Sequence, residues 1–263
     1  MQKWPNIWHI TDNMGVYMTL LEGADRALLV DTGYGLENVA QKVRNCTDKP
    51  LTVLLTHAHH DHVLGARWFE QVYLAQADHE SYAFYTSPSK RRDVAKQAQA
   101  KGLLVPQDYV TAEYPQPVSL EEGEINLGGL TVQILSCPGH TPGSCVAYVP
   151  QYRLLLTADD WNPCTWLFFP EALSAQTLRT NLQKLLELPF EHVLCSHRGD
   201  VYSRSDLEAF VAGIGDEQLR AAHPVDMGRD TDTREVFPAD GQNFVFDFAK
   251  TSLTERKQDH EDG

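Results

Sequence analysis

The residues best suited to chemistry lie in the segment THAHHDH, residues 56–62, which directly follows the apolar run LTVLL. His57 and His59 are two positions apart, so in an extended segment both side chains point the same way. Asp61 and His62 follow where the chain turns, and they can face a second point close by. Imidazole nitrogen and carboxylate oxygen are ligands that suit zinc, iron and manganese. The segment therefore predicts a metal site.

Other polar residues stand in comparable places along the chain. Five strand-like apolar runs end in an aspartate or a histidine, namely Asp31, His57, His140, Asp159 and His197. In a sheet covered on both faces, polar groups belong at the strand ends, where ligands bind in the crevice. Five such endings predict that one edge of the sheet is a site. We interpret His60, between the predicted ligands, as a packing residue that points away.

Strand-like apolar runs alternate with helical patterns along the chain, which favours an α/β layered architecture. These strands and helices must position the residues named above. With 263 residues, 42% of them hydrophobic, the chain is long enough to bury a full core as one domain. The segment SAQTLRTNLQKLLELP predicts an amphipathic helix that ends at Pro189. A second helix is predicted in SRSDLEAFVAGI, where a serine can cap the first turn.

The segment from about 78 to 118 differs in texture from its surroundings. Aromatic residues are followed there by helix-forming Ala, Lys and Gln, and then by prolines. Insertions at the ligand edge of a rigid scaffold commonly carry specificity. We therefore predict a helical cap insertion whose aromatic residues Tyr82, Phe84 and Tyr85 overhang the site. The region from about 201 is predicted to be a C-terminal extension.

Composition restricts the partners and the compartment. The formal net charge is −14, with 36 acidic against 22 Lys and Arg residues, so nucleic acid is not an expected partner. No apolar segment approaches the roughly 18–20 residues that span a bilayer, and no signal peptide is evident, so no membrane association is expected. The five cysteines are scattered, which predicts reduced thiols in a cytoplasmic protein. Nothing in the sequence predicts the oligomeric state.

The pattern HxHxDH after an apolar strand resembles the signature of the metallo-β-lactamase fold superfamily. The remaining signature elements occur in the right order as LLVDTG, PGHTPGS, LLLTAD and CSHRG, so the resemblance covers about residues 5–200. It implies a single domain over 1–263 with a four-layer αββα sandwich, in which two mixed β-sheets are flanked by helices. It also implies a dinuclear metal site on one sheet edge.

The resemblance also implies a ligand set. The first metal takes His57, His59 and His140, and the second takes Asp61, His62 and His197, with Asp159 bridging both. Asp31 supports the site from outside the ligand set. Two divalent ions are implied, with zinc expected and iron or manganese as alternatives. A hydroxide between two metal ions is a nucleophile at neutral pH, and Asp61 is also a candidate for proton transfer.

Some positions depart from the family pattern. The usual glycine before the bridging aspartate is Ala158, and a second carboxylate, Asp160, follows Asp159, so the two aspartates remain alternatives for the bridge. Candidate pocket residues near the motifs are Asp31, Tyr34, Trp161, Asn162 and Arg198. Within WNPCTWLFFPEA, we assign Cys164, Phe168 and Phe169 to packing instead.

These patterns together predict a soluble metal-dependent hydrolase that cleaves an ester, lactone, thioester or amide bond in a small molecule. Few Arg and Lys residues lie near the motifs, which disfavours a phosphodiester substrate. A phosphodiesterase of the same superfamily remains an alternative. A mononuclear iron enzyme that resembles persulfide dioxygenases is the second alternative.

Overall fold

The computed structural model describes residues 4–253, and the predicted domain of 1–263 therefore extends outside the described residues at both ends. Two six-stranded sheets form the centre. Strands of the first sheet follow the chain in the hydrogen-bonded order β1 to β6. They are β1 (Ile7–Thr11), β2 (Tyr17–Glu22), β3 (Ala27–Val30), β4 (Leu51–Leu54), β5 (Tyr73–Leu74) and β6 (Val118–Ser119). The first three strands pair antiparallel, whereas β3 through β6 pair parallel, so the sheet is mixed.

The second sheet is also mixed, with the order β13-β12-β10-β9-β8-β7. Its strands are β7 (Gly123–Asn126), β8 (Thr131–Ser136), β9 (Cys145–Val149), β10 (Leu154–Ala158), β12 (His192–Cys195) and β13 (Tyr202–Ser203). Only β10 and β12 pair parallel, which places their carboxyl ends side by side. The polar residues that follow β10 and β12 therefore lie at the same edge of the sheet.

Strand β3 shows why the molecule is layered. Leu28 and Val30 pack into the core between the two sheets, whereas Ala27 and Leu29 pack on the outer face, where Val39 of a helix covers them. A strand buried on both faces reads as a continuous apolar run, as this one does. The predicted αββα arrangement is confirmed: helices lie outside both sheets.

The helices differ in what they cover. They are α1 (Val39–Arg44), α2 (His60–Val63), α3 (His79–Tyr85), α4 (Pro88–Ala100), α5 (Ala175–Leu185), α6 (Arg204–Gly213) and α7 (Asp216–Arg220), with short 3₁₀ turns at Leu64–Trp68, Gln76–Asp78, Pro150–Tyr152 and Phe248–Lys250. Ser174 caps α5 by accepting a hydrogen bond from Thr177 N. The apolar stripe of α5 packs against the outer face of the second sheet. No helix in the described range is long and apolar enough to cross a membrane.

A third sheet was not predicted. It has the order β11-β16-β15-β14 and is built from β11 (Cys164–Leu167), β14 (His223–Pro224), β15 (Thr233–Val236) and β16 (Asn243–Asp247). Strand β11 lies within WNPCTWLFFPEA and pairs parallel with β16, which carries the buried Phe244 and Phe246. The region after 201 is therefore joined by backbone hydrogen bonds to the segment that follows Asp159.

Candidate metal centre

The predicted ligands converge where strands of both sheets end. Strand β4 leads into 56–62, β10 leads directly into Asp159, and β12 leads through Ser196 into His197, while His140 comes from the loop between β8 and β9. The carboxyl ends of parallel strands meet at one edge, which is where such residues can gather. The structure brings together all seven predicted ligand residues, His57, His59, Asp61, His62, His140, Asp159 and His197.

The donor atoms form two groups, and in each group they lie within 4.8 Å of one another. The imidazole group consists of His57, His59 and His140. The carboxylate group consists of Asp61, His62, Asp159 and His197. Asp159 Oδ2 lies 3.6 Å from His140 Nε2, so this carboxylate reaches toward both groups. This partition is the one that the resemblance implies.

In the imidazole group, hydrogen bonds fix which nitrogen atoms carry protons. The Nε2–H of His59 donates to Glu171 Oε1 at 2.7 Å, and the Nδ1–H of His140 donates to the Trp166 carbonyl at 2.8 Å. Carboxylate and carbonyl oxygens only accept, so the remaining nitrogens, His59 Nδ1 and His140 Nε2, both carry lone pairs. These two atoms lie 2.8 Å apart. Two lone pairs at that distance repel one another, and a cation between them removes the repulsion.

The third imidazole, that of His57, also has a nitrogen atom without a partner among the described residues. The Nε2 atom of His57 is buried and has no hydrogen-bond partner among the described residues, while Nδ1 lies 3.1 Å from the Thr56 hydroxyl. Burial lowers the pKa of His57 well below its usual value, and the nearby His62 and His140 lower it further. Burial likewise lowers the pKa of His140 to about 3. Neutral imidazoles are the form that binds metal, so this donor set fits a divalent ion.

The carboxylate group has the opposite electrostatics. Asp159 Oδ2 lies 3.0 Å from His197 Nε2 and 3.4 Å from His62 Nε2. Burial opposes a charge on His62, but Asp159 and the neighbouring carboxylates outweigh it and raise the pKa of this histidine well above its usual value. Burial would raise the pKa of Asp61, but nearby His62 and other histidines lower it to about 2. The second oxygen of Asp159, Oδ1, is buried without a partner within residues 4–253, as expected of an atom that awaits a ligand.

Asp31 orients the carboxylate group from outside it, at the place predicted for it. Its Oδ2 accepts from His62 Nδ1 at 2.9 Å, and its Oδ1 accepts from Thr56 N at 2.8 Å. The backbone of Asp31 has φ of 65°, and that of Ala158, directly before Asp159, has φ of 46°. Both values lie in the left-handed region that costs free energy for residues with a Cβ. Such strain persists where surrounding structure fixes a functional residue.

The two candidate bridging aspartates have different surroundings. Asp160 belongs to neither group of donor atoms, and its Oδ1 accepts a hydrogen bond from the backbone N–H of His140 at 3.4 Å. Burial raises the pKa of Asp160 well above its usual value. Asp159 faces both ligand groups instead. Of these two aspartates, Asp159 is therefore the one whose carboxylate lies near both ligand groups.

A cavity of about 940 Å³ opens over the ligands. Aromatic residues from two sources line it, Phe84 and Tyr85 of α3 and Trp166 and Phe169 of the β11 region. Three cationic residues also line it, Lys90, Arg198 and Arg229. Among the predicted pocket residues, those that line the cavity are Tyr34, Asn162 and Arg198.

Several sequence-based assignments are corrected by the structure. Trp161 does not line the cavity: it is fully buried and packs edge-on against Tyr202 and Phe210 in the core. Tyr82 of α3 is buried against the outer face of the first sheet, with its hydroxyl donating to the Pro115 carbonyl, so it does not overhang the site. In both cases the large ring finds more apolar contact inside than at the cavity wall.

Other residues lie nearer to the site than predicted. Phe169, assigned to packing, lines the cavity and lies edge-on to the ring of His59 at 4.6 Å. His60 does not point away, because it lines the cavity and stacks on Tyr85. Cys164 lines the cavity as well. Phe168, by contrast, is buried, as predicted.

Two residues at the site were missed by sequence reasoning. Glu171 holds His59, and Arg229 stands 5.1 Å from the centre of the Phe169 ring. The only signal for Glu171 was its position at the end of WNPCTWLFFPEA. Arg229 lies in a polar stretch, MGRDTDTRE, and nothing local marks it.

The chain is similar to known proteins over more than two thirds of its length. The family described as the metallo-beta-lactamase superfamily matches residues 11–197. The "Probable metallo-hydrolase YqgX" of Bacillus subtilis is 28% identical over 207 residues, which are 72% of this chain and 89% of that protein. A solved structure of TTHA1623 in a di-iron-bound form has a TM-score of 0.57 and 28% identity, covering 77% of this chain and 96% of that one.

Two further relatives have names that state a reaction. "Acyl-coenzyme A thioesterase MBLAC2" of Bos taurus is 26% identical over 168 residues, 55% of this chain and 60% of that protein. The "Hydroxyacylglutathione hydrolase" of Bartonella henselae is 30% identical over 199 residues, 74% of this chain and 65% of that protein. The chain thus spans about 60% and 65% of these two relatives. The family match, together with the ligand edge, gives the identity: the chain belongs to the metallo-beta-lactamase superfamily of metallo-hydrolases.

Proposed function

We propose that this protein hydrolyses the acyl bond of a small thioester or ester at a centre that holds two divalent metal ions. The observation that carries the proposal is the convergence of lone pairs from His59 and His140, 2.8 Å apart, on the floor of a cavity large enough for an acyl compound. Lactones and amides are further candidates of the same acyl class. The relatives named for thioester hydrolysis support the thioester within that class.

The proposed ligands are the imidazole group for one ion and the carboxylate group for the other, with Asp159 between them. Zinc is the proposed metal, with iron or manganese as alternatives. When bound, such ions act as Lewis acids and lower the pKa of coordinated water from about 15.7 toward 7. The protein contributes the orientation of each donor, through Thr56, Asp31 and Glu171.

Asp61 is proposed to move a proton in addition to its ligand role. Its carboxylate lies in the wall of the cavity, and His62 and other histidines keep its pKa near 2 despite burial. The group is therefore a carboxylate at neutral pH, which can accept a hydrogen bond at the reacting centre and carry a proton only in passing to the leaving group, because a carboxyl of such low pKa does not retain one.

The cavity walls support a substrate with an apolar part and an anionic part. Phe84 and Trp166 are both more than 40% exposed, unusual for large apolar side chains, and both line the cavity. Lys90 lies over the Phe84 ring at 4.5 Å, and Arg229 lies over Phe169. In each pair the charged end of the side chain lies over an aromatic ring, and both members of the pair line the cavity.

The same cations bear on the phosphodiesterase alternative. Sequence reasoning placed few basic residues near the motifs, but Lys90 and Arg229 reach the cavity from distant segments. Clustered cations stabilise phosphoryl groups as well as carboxylates. We therefore keep phosphoester hydrolysis as the second candidate, to be separated by experiment.

The proposed setting is the cytoplasm, supported by five free cysteines in the described range.

The test is a substrate panel with protein that has been stripped of metal and reloaded with zinc, iron or manganese. We expect turnover of thioesters or esters by the loaded protein and its loss on chelation. Turnover of bis(p-nitrophenyl) phosphate with none of the acyl compounds would overturn the proposal in favour of a phosphodiesterase. Oxygen consumption with a persulfide would favour the iron oxygenase alternative.

A further inference from the structure

One carboxylate oxygen connects helix α3, the first helix of the predicted cap, to a predicted metal ligand. Glu171 Oε1 accepts a hydrogen bond from His59 Nε2 at 2.7 Å and a second from the Tyr85 hydroxyl at 2.5 Å. Tyr85 is the last residue of α3, and its ring lies edge-on to the His59 ring at 5.0 Å. The side chain of Glu171 is only 15% exposed, so these hydrogen bonds are largely shielded from water. Such buried, charge-assisted bonds are stronger than exposed neutral ones.

The other end of α3 is tied to the ligand loops as well. Asp78, which directly precedes the helix, is fully buried and accepts from Ala58 N at 3.0 Å, between two predicted ligands. The same carboxylate accepts from the Thr141 hydroxyl and from Gly143 N, each at 2.7 Å, in the loop that carries His140. A Cβ at Gly143 would lie 2.7 Å from Asp78 Cγ, so only glycine allows this approach. Helix α3 is thus anchored at both ends to the imidazole group.

We infer that Glu171 and Tyr85 are a positioning pair that couples the cap to the metal affinity of the imidazole group. Glu171 holds the proton on His59 Nε2, which leaves Nδ1 free as a donor, and its negative charge makes that donor more basic. Tyr85 fixes the carboxylate and also lines the cavity, so its position links the cavity wall to the ligand. The inference rests on the ligand role proposed for His59.

The experiment measures metal binding rather than turnover. Zinc affinity is determined by competition with a chromophoric chelator, and Co²⁺ absorption reports the geometry around the ion. We expect Glu171→Gln, which keeps the shape and removes the charge, to lower the affinity of the imidazole group about ten- to a hundredfold and to alter the Co²⁺ spectrum. Tyr85→Phe should lower it by a smaller factor. Glu80→Gln, on the same helix and lining the same cavity, is the matched control and should leave the affinity unchanged.

The double variant tests whether Tyr85 acts through Glu171. We expect Tyr85→Phe to matter less in the Glu171→Gln background, since pairs that act together are not additive. An affinity within twofold of wild type in Glu171→Gln would overturn the inference, as would an equal effect of Tyr85→Phe in both backgrounds. If Glu171→Gln does not fold, an unchanged affinity in Tyr85→Phe alone overturns it. Wild type that binds no metal would instead contradict the proposed function itself.

Discussion

The imidazole group and the carboxylate group lie side by side, but they satisfy their polar atoms in different ways. In the carboxylate group, Asp159 attracts His62 and His197, and the pKa of each histidine is raised despite burial. In the imidazole group, burial lowers the pKa of His57 and His140, and lone pairs face one another. The carboxylate group pairs negative with positive charge and leaves Asp159 Oδ1 and His62 Nε2 without partners, whereas the imidazole group sets neutral nitrogen lone pairs against one another. The imidazole group is therefore the clearer structural sign of a metal.

The largest expected effect separates the two groups by metal content. We expect two ions per chain in loaded wild type, loss at one position in His57→Ala or His140→Ala, and loss at both in Asp159→Ala, because Asp159 reaches both groups. Activity of Asp159→Ala should fall by more than about a hundredfold, beyond the usual effect of changing a residue that only orients a ligand. Elemental analysis of dialysed protein measures the metal.

Asp160→Asn is the control for this experiment. An asparagine oxygen can still accept from His140 N, so the variant should keep both ions if Asp159 is the bridge. Metal loss in Asp160→Asn but not in Asp159→Ala would reverse the assignment of the two aspartates. Wild type that never exceeds one ion per chain under any metal would contradict the dinuclear proposal.

Backbone strain offers a second contrast, because Asp31 and Ala158, both non-glycine residues with positive φ, adjoin the carboxylate group. Ala158→Val should lower the free energy of unfolding by roughly 2 kcal/mol or more, since a β-branched residue fits the left-handed region worst. Urea unfolding of metal-free protein gives the value. Ala158→Gly should stay within about 1 kcal/mol of wild type, because relief of strain and the entropy of glycine offset one another. Equal stability of the valine variant would show that the backbone there is not constrained.

The ligand edge was predictable from sequence because its determinants are local. Ligands follow apolar runs directly, and residues two apart in an extended segment share a face, so motif and strand end specify the same positions. His57 and His59 needed no long-range information, whereas the choice between Asp159 and Asp160 did, because only their surroundings in the fold separate them. The layers were predictable for the same reason, since continuous apolar runs such as RALLV already indicate burial on both faces.

The cavity wall was less predictable, because its orientation depends on a distant strand. Which residues of WNPCTWLFFPEA face the cavity is set by the pairing of β11 with β16, and no local pattern specifies that partner. Trp161 was therefore placed at the wall and lies in the core, whereas Phe169 was placed in the core and lies at the wall. Glu171 and Arg229 depend on the same arrangement. A long-range pairing decided each of these cases.

The segment that carries His197, a member of the carboxylate group, is held by a hydrogen bond from His9, whose contribution to stability depends on pH. His9 Nε2 donates to the Arg198 carbonyl at 3.2 Å, and burial lowers the pKa of His9 to about 4. In the unfolded chain His9 binds a proton near pH 6.5, and in the folded chain only near pH 4. The contribution of the buried, neutral His9 to the free energy of unfolding is therefore complete above pH 6.5 and is lost as the pH falls toward 4. We expect the stability advantage of wild type over His9→Gln to shrink by about 2 kcal/mol between pH 7 and pH 5. A pH-independent difference in urea unfolding would contradict this role.

The smallest expected effect concerns the cover of the imidazole group. Phe169 lies against His59 and His140, and Arg229 lies over Phe169 with an exposed side chain. An exposed cation of this kind contributes up to about 1 kcal/mol to binding a negative charge, so Arg229→Gln should raise KM roughly three- to fivefold for a thioester that carries a carboxylate. It should leave kcat unchanged if the guanidinium binds the carboxylate of the substrate and not the acyl group, and it should leave KM unchanged for an uncharged thioester of equal size. Arg220→Gln, on α7 and outside the cavity lining, is the matched control. Equal KM changes for the charged and uncharged substrates would mean that Arg229 shapes the wall by packing on Phe169 and does not recognise charge.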